Sequence, residues 1–129
     1  MSNTSRYLDL AADAKKRIRE VTVEELERTP LSPNAVIIDV REKDEWNAGH
    51  AASAIHLSRG VIESLIEDKI PALDTPILCY CAGGNRSALV ADNLTKMGYT
   101  DVASLVGGFA QWQKLRMPVV PGGSHGMKW

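Results

Sequence analysis

Residues Ile77–Met97, ILCYCAGGNRSALVADNLTKM, decide how this chain is read. An apolar run of strand length leads into Cys81. A glycine-bearing loop follows, and a helical pattern closes the stretch. A strand that hands over to a helix in this way aims successive backbone N–H groups inward and adds the positive end of the helix dipole. Gly83 and Gly84 permit the backbone angles that such close packing of N–H groups demands. Arg86 brings a permanent positive charge, and Ser87 brings a hydroxyl at the helix start. A cysteine at the mouth of this arrangement has its thiolate stabilised, which makes Cys81 the candidate nucleophile.

Outward from that stretch the chain alternates between strand and helix. Residues 6–19 predict a helix, with Tyr7, Leu10, Ala11, Ala14 and Ile18 at helical spacing and Lys15–Arg17 on a solvated face. Glu20–Thr22 predicts a short strand, and Thr22 with Glu25 a capping box opening the helix Val23–Arg28. Ala35–Val40, AVIIDV, is a continuous apolar run of the kind central parallel strands show. Glu42–Asn47 reads as a short helix stopped by Gly49, Ala54–Leu57 as a strand, and Val61–Asp68 as a helix. Downstream of the central stretch, Asp101–Leu105 reads as a last strand, Gly107-Gly108 as a turn and Phe109–Leu115 as a helix. The chain beyond Pro118 reads as loose. Such alternation specifies an α/β domain with a mostly parallel sheet. Ligands of such sheets sit beyond the carboxyl ends of the strands, where both Cys81 and Arg41 fall.

Composition narrows the function. With 129 residues and a hydrophobic fraction of 44%, a single globular domain is expected. The net charge of -1 offers no attraction to nucleic acid or an anionic membrane. No apolar run reaches the roughly 18 residues of a membrane span, and the amino-terminal residues lack the apolar core of a secretory signal. Two cysteines, Cys79 and Cys81, are too few for a disulfide framework or a zinc site. A cytoplasmic setting without metal or cofactor follows as the expectation.

Asp39-Val40-Arg41, Gly49-His50, the loop Cys81–Arg86 with Ser87, and Gly107-Gly108 with Trp112 and Pro118-Val119 together resemble the rhodanese family. The resemblance spans about Glu20 to Val119 and implies a five-stranded, mostly parallel sheet with helices on both faces. It divides the chain into a helical extension (residues 1–19), a rhodanese-like domain (20–120) and a loose tail (121–129). It implies sulfur transfer, in which the Cys81 thiolate takes the outer sulfur of thiosulfate, releases sulfite, and passes the sulfur to a thiol or cyanide; a protein thiol is a further acceptor class. Ala82, Gly83, Gly84, Asn85, Arg86 and Ser87 are then the substrate-binding loop, and Arg41 a further anion contact. Ala51 stands where the family has a larger aliphatic residue, Ser53 where it has glycine, and Arg116 where it has the glycine before the last Pro-Val. A non-glycine at position 116 implies a strained helix end.

Plainer readings compete at several positions. Cys79 inside an apolar strand is core, or a resolving thiol. Arg41 pairs with Glu42, Asp44 or Glu45, or binds substrate. Arg86 closes an anion site, or forms a surface ion pair. His50 is a hydrogen-bonding turn residue, or a base. Asp39 anchors backbone at its strand end, Trp112 packs the last helix, and His56 and His125 belong to no constellation. The same cysteine–arginine logic also serves a phosphatase or arsenate reductase, and a non-catalytic binding module is the third class. Because a less basic thiolate is also a weaker nucleophile, with a Brønsted coefficient of about 0.4–0.5, lowering the cysteine pKa accelerates attack little. Positioning the sulfur and stabilising anions in the loop carry more.

Overall fold

The computed structural model describes residues 5–122. In chain order the elements are α1 (Arg6–Lys15), β1 (Arg19–Val21), α2 (Val23–Arg28), β2 (Val36–Asp39), α3 (Lys43–Asn47), β3 (Gly49–Ala51), β4 (Ala54–His56), α4 (Ile62–Lys69), β5 (Ile77–Tyr80), α5 (Asn85–Lys96), β6 (Val102–Leu105), α6 (Gly108–Lys114) and β7 (Val119–Pro121). Strands β1-β6-β5-β2-β4 form one parallel sheet, with β5 at its centre. The fold class read from the sequence is the one observed.

Alternation along β5 divides the core. Ile77, Cys79 and Cys81 join Ile62, Ile66, Val90 and Leu94 of α4 and α5 on one face. Leu78 and Tyr80 join Val23, Leu26, Phe109 and Trp112 of α2 and α6 on the other. The four residues of β5 are buried on both sides, so an apolar run rather than an alternating one is what the sequence must supply there. The capping box of α2 forms as expected, with Thr22 Oγ1 accepting from Glu25 N–H and Glu25 Oε1 accepting from Thr22 N–H.

Two features depart from the sequence expectations. The first is a small antiparallel ladder between β3 and β7, with Gly49 opposite Pro121 and Ala51 opposite Val119. Gly49 begins a strand rather than merely stopping a helix, and Val119–Pro121, beyond the Pro118 limit, is paired. Three-residue strands that meet across some seventy positions leave too little periodicity to read. At Gly122 a side chain would collide with the backbone of Ala48, so the pairing also explains that glycine. The rest of the expected tail, residues 123–129 with His125, lies outside the described residues.

The second departure concerns the amino-terminal helix. It ends at Lys15 rather than Arg19, and β1 already starts at Arg19. Ala11 and Ala14 are buried against α5, while Tyr7 and Leu10 of the expected apolar face stay exposed. Lys15 and Arg17 are not a free solvated face. Arg17 donates through Nε and Nη2 to Asp92 of α5 (3.1 and 2.8 Å) and through Nη1 to Asp13. Lys15 Nζ donates to Asn85 Oδ1 at 2.9 Å. Half-exposed ion pairs contribute little energy, about 0–1 kcal/mol. Their effect is geometric: they fix α1 in register on α5.

Arg116 has φ 59 and is the only non-glycine residue with positive φ among the described residues, as the departure from glycine at this position implies. Among the described residues, no helix is long and apolar enough to cross a membrane.

Candidate active site

Cys81 follows the last residue of β5 at the carboxyl edge of the sheet and is 1% exposed. The loop turns back over its sulfur because Gly84 adopts φ 110, a conformation that suits glycine. That turn brings Gly84 N–H to 3.1 Å and Ser87 N–H to 3.4 Å from Cys81 Sγ. Ser87 Oγ lies 3.5 Å from the sulfur and 2.7 Å from Ser104 Oγ at the end of the neighbouring strand. Burial pushes the thiol pKa up, but the Ser87 hydroxyl and the N–H groups of Ser87, Gly84 and Gly83 outweigh it and hold the pKa below its ordinary value. Ser87 is therefore the third residue of α5 rather than its cap, and its hydroxyl belongs to the sulfur site. Cys79, two residues earlier on the same face, is fully buried in the apolar core, and burial pushes its thiol up to about 12.

The loop is held from below by α6. Phe109 N–H donates to the Cys81 carbonyl at 2.7 Å, and Ala110 N–H to the Ala82 carbonyl at 3.2 Å. Those contacts bring Gly108 so close that a side chain there would collide with Cys81 O and Ala82. The Gly107-Gly108 turn thus serves the nucleophile loop directly. Ala82 and Gly83 form the exposed rim, Asn85 opens α5, and Gly84 is buried.

Arg86 forms a two-point fork with Glu45 of α3, at 2.7 and 3.0 Å. The guanidinium and the Glu42 N–H hold the Glu45 carboxyl against a smaller opposing effect of burial, and its pKa falls to about 2. Arg86 itself is raised by the same carboxylate. Of the two sequence readings of this residue, the ion pair is the one on view.

The structure does not bring Arg41 into the loop. Its Nε and Nη2 donate to Asp39, Nη2 also to the Gly49 carbonyl, and its guanidinium stacks 4.4 Å from the Phe109 ring centroid. The ion-pair alternative describes it, with Asp39 in place of Glu42, Asp44 or Glu45. Asp39 is wholly buried, accepts also from Arg41 N–H and Tyr80 O–H, and so ties β2 to β5. The Tyr80 hydroxyl oxygen in turn accepts from Ala51 N–H. Ala51 is fully buried in this network. His50 stacks on Trp46 at 3.4 Å with Nδ1 3.1 Å from the Trp46 carbonyl, and His56 Nε2 lies 2.7 Å from the Arg41 carbonyl. Trp112 packs in the core and donates to Pro118 O.

A family model of the rhodanese-like domain matches residues 22–115. The chain belongs to the rhodanese family. A thiosulfate sulfurtransferase GlpE of Coxiella burnetii is 40% identical over 80 residues, which is 60% of this chain and 71% of that one. Among solved structures, a protein of unknown function from Rhodopseudomonas palustris, described as a possible tyrosine phosphatase, matches with a TM-score of 0.79 at 27% identity, over 93% of this chain and 98% of its own. A polysulfide-sulfur transferase homodimer from Wolinella succinogenes matches with a TM-score of 0.73 at 25% identity, over 89% and 87%.

In this rhodanese chain, sequence reasoning missed four supports of the loop: Glu45 as the partner of Arg86, Ser104 behind Ser87, the α6 N–H groups under Cys81 and Ala82, and Lys15 on Asn85. Only the first and third left a trace in the sequence, as an acidic first turn on α3 and as the paired glycines.

Proposed function

We propose that this chain is a thiosulfate sulfurtransferase working through a Cys81 persulfide. The observation that carries the proposal is the sulfur of Cys81 seated under the N–H groups of Gly84 and Ser87 in a loop of four residues before Arg86. The Cys81 thiolate attacks the outer sulfur of thiosulfate. The sulfur–sulfur bond of the donor breaks, and sulfite leaves with the bonding pair. In the second half-reaction a thiolate or cyanide attacks the terminal sulfur, and Cys81 leaves as thiolate. Both displacements balance without an external oxidant or cofactor. The inward N–H groups stabilise the anion whether it sits on Sγ or on the added sulfur. Thiosulfate as donor, thiols including protein thiols or cyanide as acceptors, and a cytoplasmic setting are parts of this proposal.

Thiosulfate treatment should add one sulfur atom to the intact protein by mass spectrometry, and cyanide should remove it. Steady-state kinetics should be ping-pong, as separate half-reactions require. Intersecting-line kinetics without any mass gain, or no transfer at all, would count against the proposal.

The Arg86–Glu45 fork gives a graded expectation. Lysine keeps the charge of Arg86 but cannot make the planar two-point contact. Arg86→Lys should lower kcat/KM for thiosulfate partially, by about tenfold, and Arg86→Ala by about a hundredfold or more, the range spanned by weakening and then losing a charge-assisted pair. Both variants retaining full activity would remove Arg86 from the site.

A further inference from the structure

A cleft of about 450 Å³ opens beside Arg86, lined by Glu42, Arg59, Gly60, Glu63, Arg86 and Asn93. A second, of about 260 Å³, runs on between α1 and α5 and shares Arg59 and Asn93 with the first. Arg59 is thus the cation common to both. Its place is set by the sheet: it follows β4, and its N–H donates to the carbonyl of Val40, just past the end of β2. It therefore stands at the same carboxyl edge as Cys81.

Charge bookkeeping around these clefts singles Arg59 out. Arg86 is forked on Glu45, Arg17 on Asp92 and Asp13, and Lys96 lies 3.4 Å from Asp92. Arg59 makes no ion pair and no side-chain hydrogen bond among the described residues. Two carboxylates, Glu42 and Glu63, share its cleft, and Glu63 is oriented by an N–H of Asn93 at 2.9 Å. Two carboxylates in the lining disfavour a simple anion, which they would repel. An uncommitted guanidinium facing two carboxylates instead matches a ligand that carries both charges.

We propose that this cleft is the acceptor subsite and that it takes a small zwitterionic thiol of the amino-acid type, with Arg59 holding its carboxylate and Glu42 and Glu63 its ammonium. The proposal deepens the sulfurtransferase reading and rests on it for the chemistry, though not for the binding. Arg86, the second residue of α5, lines the cleft, so an acceptor seated there lies beside the end of the nucleophile loop. The acceptor thiol gives its proton to water and attacks the terminal sulfur as thiolate. The persulfide bond breaks, Cys81 departs as thiolate, and the product is a small persulfide. Arg59 here is a specificity residue for the acceptor, with no part in loading from thiosulfate.

The test uses the intact chain and two readouts. In the first, S-methylcysteine, which cannot react, is titrated while the backbone amide signals of Gly60 and Asn93 are followed. Saturable shifts are expected, with Kd raised about tenfold in Arg59→Met, the loss of one charge-assisted contact. 2-(Methylthio)ethanol, which lacks both charges, should move neither signal. In the second, persulfide-loaded protein is presented with cysteine or with 2-mercaptoethanol. Arg59→Met should raise KM for cysteine about tenfold with kcat held, and leave KM for 2-mercaptoethanol and the loading rate from thiosulfate unchanged. Glu63→Gln should raise KM for cysteine but not for 3-mercaptopropionate, which has no ammonium. Absence of amide shifts, or equal effects of Arg59→Met on charged and neutral thiols, overturns the proposal. Failure of the sulfurtransferase reading has a different signature: no acceptor is turned over, while Arg59-dependent binding of S-methylcysteine still upholds the subsite.

Discussion

Cys81→Ser is expected to lower sulfur transfer at least about a thousandfold, the scale of losing the nucleophile in covalent catalysis. The geometry explains the severity. The donors from Gly84 and Ser87 are aimed at one atom, and a serine hydroxyl at that atom stays protonated at neutral pH and offers no sulfur for the persulfide. Cys79→Ser should keep most of the turnover per folded molecule. Its thiol is sealed in the α4–α5 face of the core, with the pKa pushed up to about 12, so it is neither ionised nor reachable at neutral pH. The serine variant instead buries a hydroxyl in an apolar cluster, at a stability cost of about 1–3 kcal/mol. The two changes therefore separate cleanly: one removes activity with the fold kept, the other lowers the melting temperature with activity kept. Alkylation should follow the same division. Because its pKa is lowered, Cys81 keeps its thiolate, and its reactivity, to a pH below that at which an ordinary thiol is protonated, while Cys79 stays silent throughout. A transfer-competent Cys81→Ser variant beside a dead Cys79→Ser variant would reverse the assignment.

The sheet and the nucleophile loop were legible in the sequence for the same reason: both rest on local patterns. AVIIDV and ILCY are continuous apolar runs because β2 and β5 are covered on both faces, and Gly84, though not Gly83, marks the place where the backbone must turn over a sulfur. The parts that were not legible are those formed by residues far apart in the chain. Glu45 and Arg86 are 41 positions apart, and Lys15 and Asn85 are 70. Beyond the acidic first turn of α3, the local sequence of these partners does not distinguish such pairs from solvated polar side chains. Arg41 shows the converse error. Its position past a strand end suited an anion site, but Asp39 two residues earlier reaches back to it and, with Tyr80, makes a buried network. Removing one partner of such a buried pair leaves an uncompensated charge, which costs about 3–5 kcal/mol, so Arg41 acts on stability through the sheet edge. The amino-terminal extension touches the loop, through Lys15 on Asn85.

Loop size gives the second large effect and distinguishes sulfur from phosphorus chemistry. That distinction bears on this chain because one structural neighbour is described as a possible tyrosine phosphatase. Ala82 to Asn85, four residues, separate Cys81 from Arg86. They turn so tightly that Gly84 and Ser87 N–H groups both reach a single sulfur, at 3.1 and 3.4 Å. The ring is held from below, because the Cys81 and Ala82 carbonyls accept from the Phe109 and Ala110 N–H groups of α6. A sulfane sulfur is one compact atom and fits above such a ring. A phosphoryl group must set its phosphorus near the thiolate while three oxygens meet donors around it, which needs a wider ring. Inserting one glycine after Gly84 adds up to about 3.5 Å of backbone. It should move the Gly84 and Ser87 donors off the sulfur by an ångström or more, and misplacement of about 1 Å costs on the order of a hundredfold. Sulfur transfer by the insertion variant should therefore fall about a hundredfold. The parent chain should transfer sulfur from thiosulfate and show negligible hydrolysis of aryl phosphates and negligible arsenate reduction, all assayed in reducing buffer. Protonation of a phosphate ester's leaving group needs an acid near the thiolate. The carboxylate nearest to Arg86, Glu45, has its pKa lowered to about 2 and carries no proton to give. Robust, Cys81-dependent aryl phosphate hydrolysis without sulfur transfer would refute this account of the loop, and an insertion variant as active as the parent would show that the ring of donors does not set the rate.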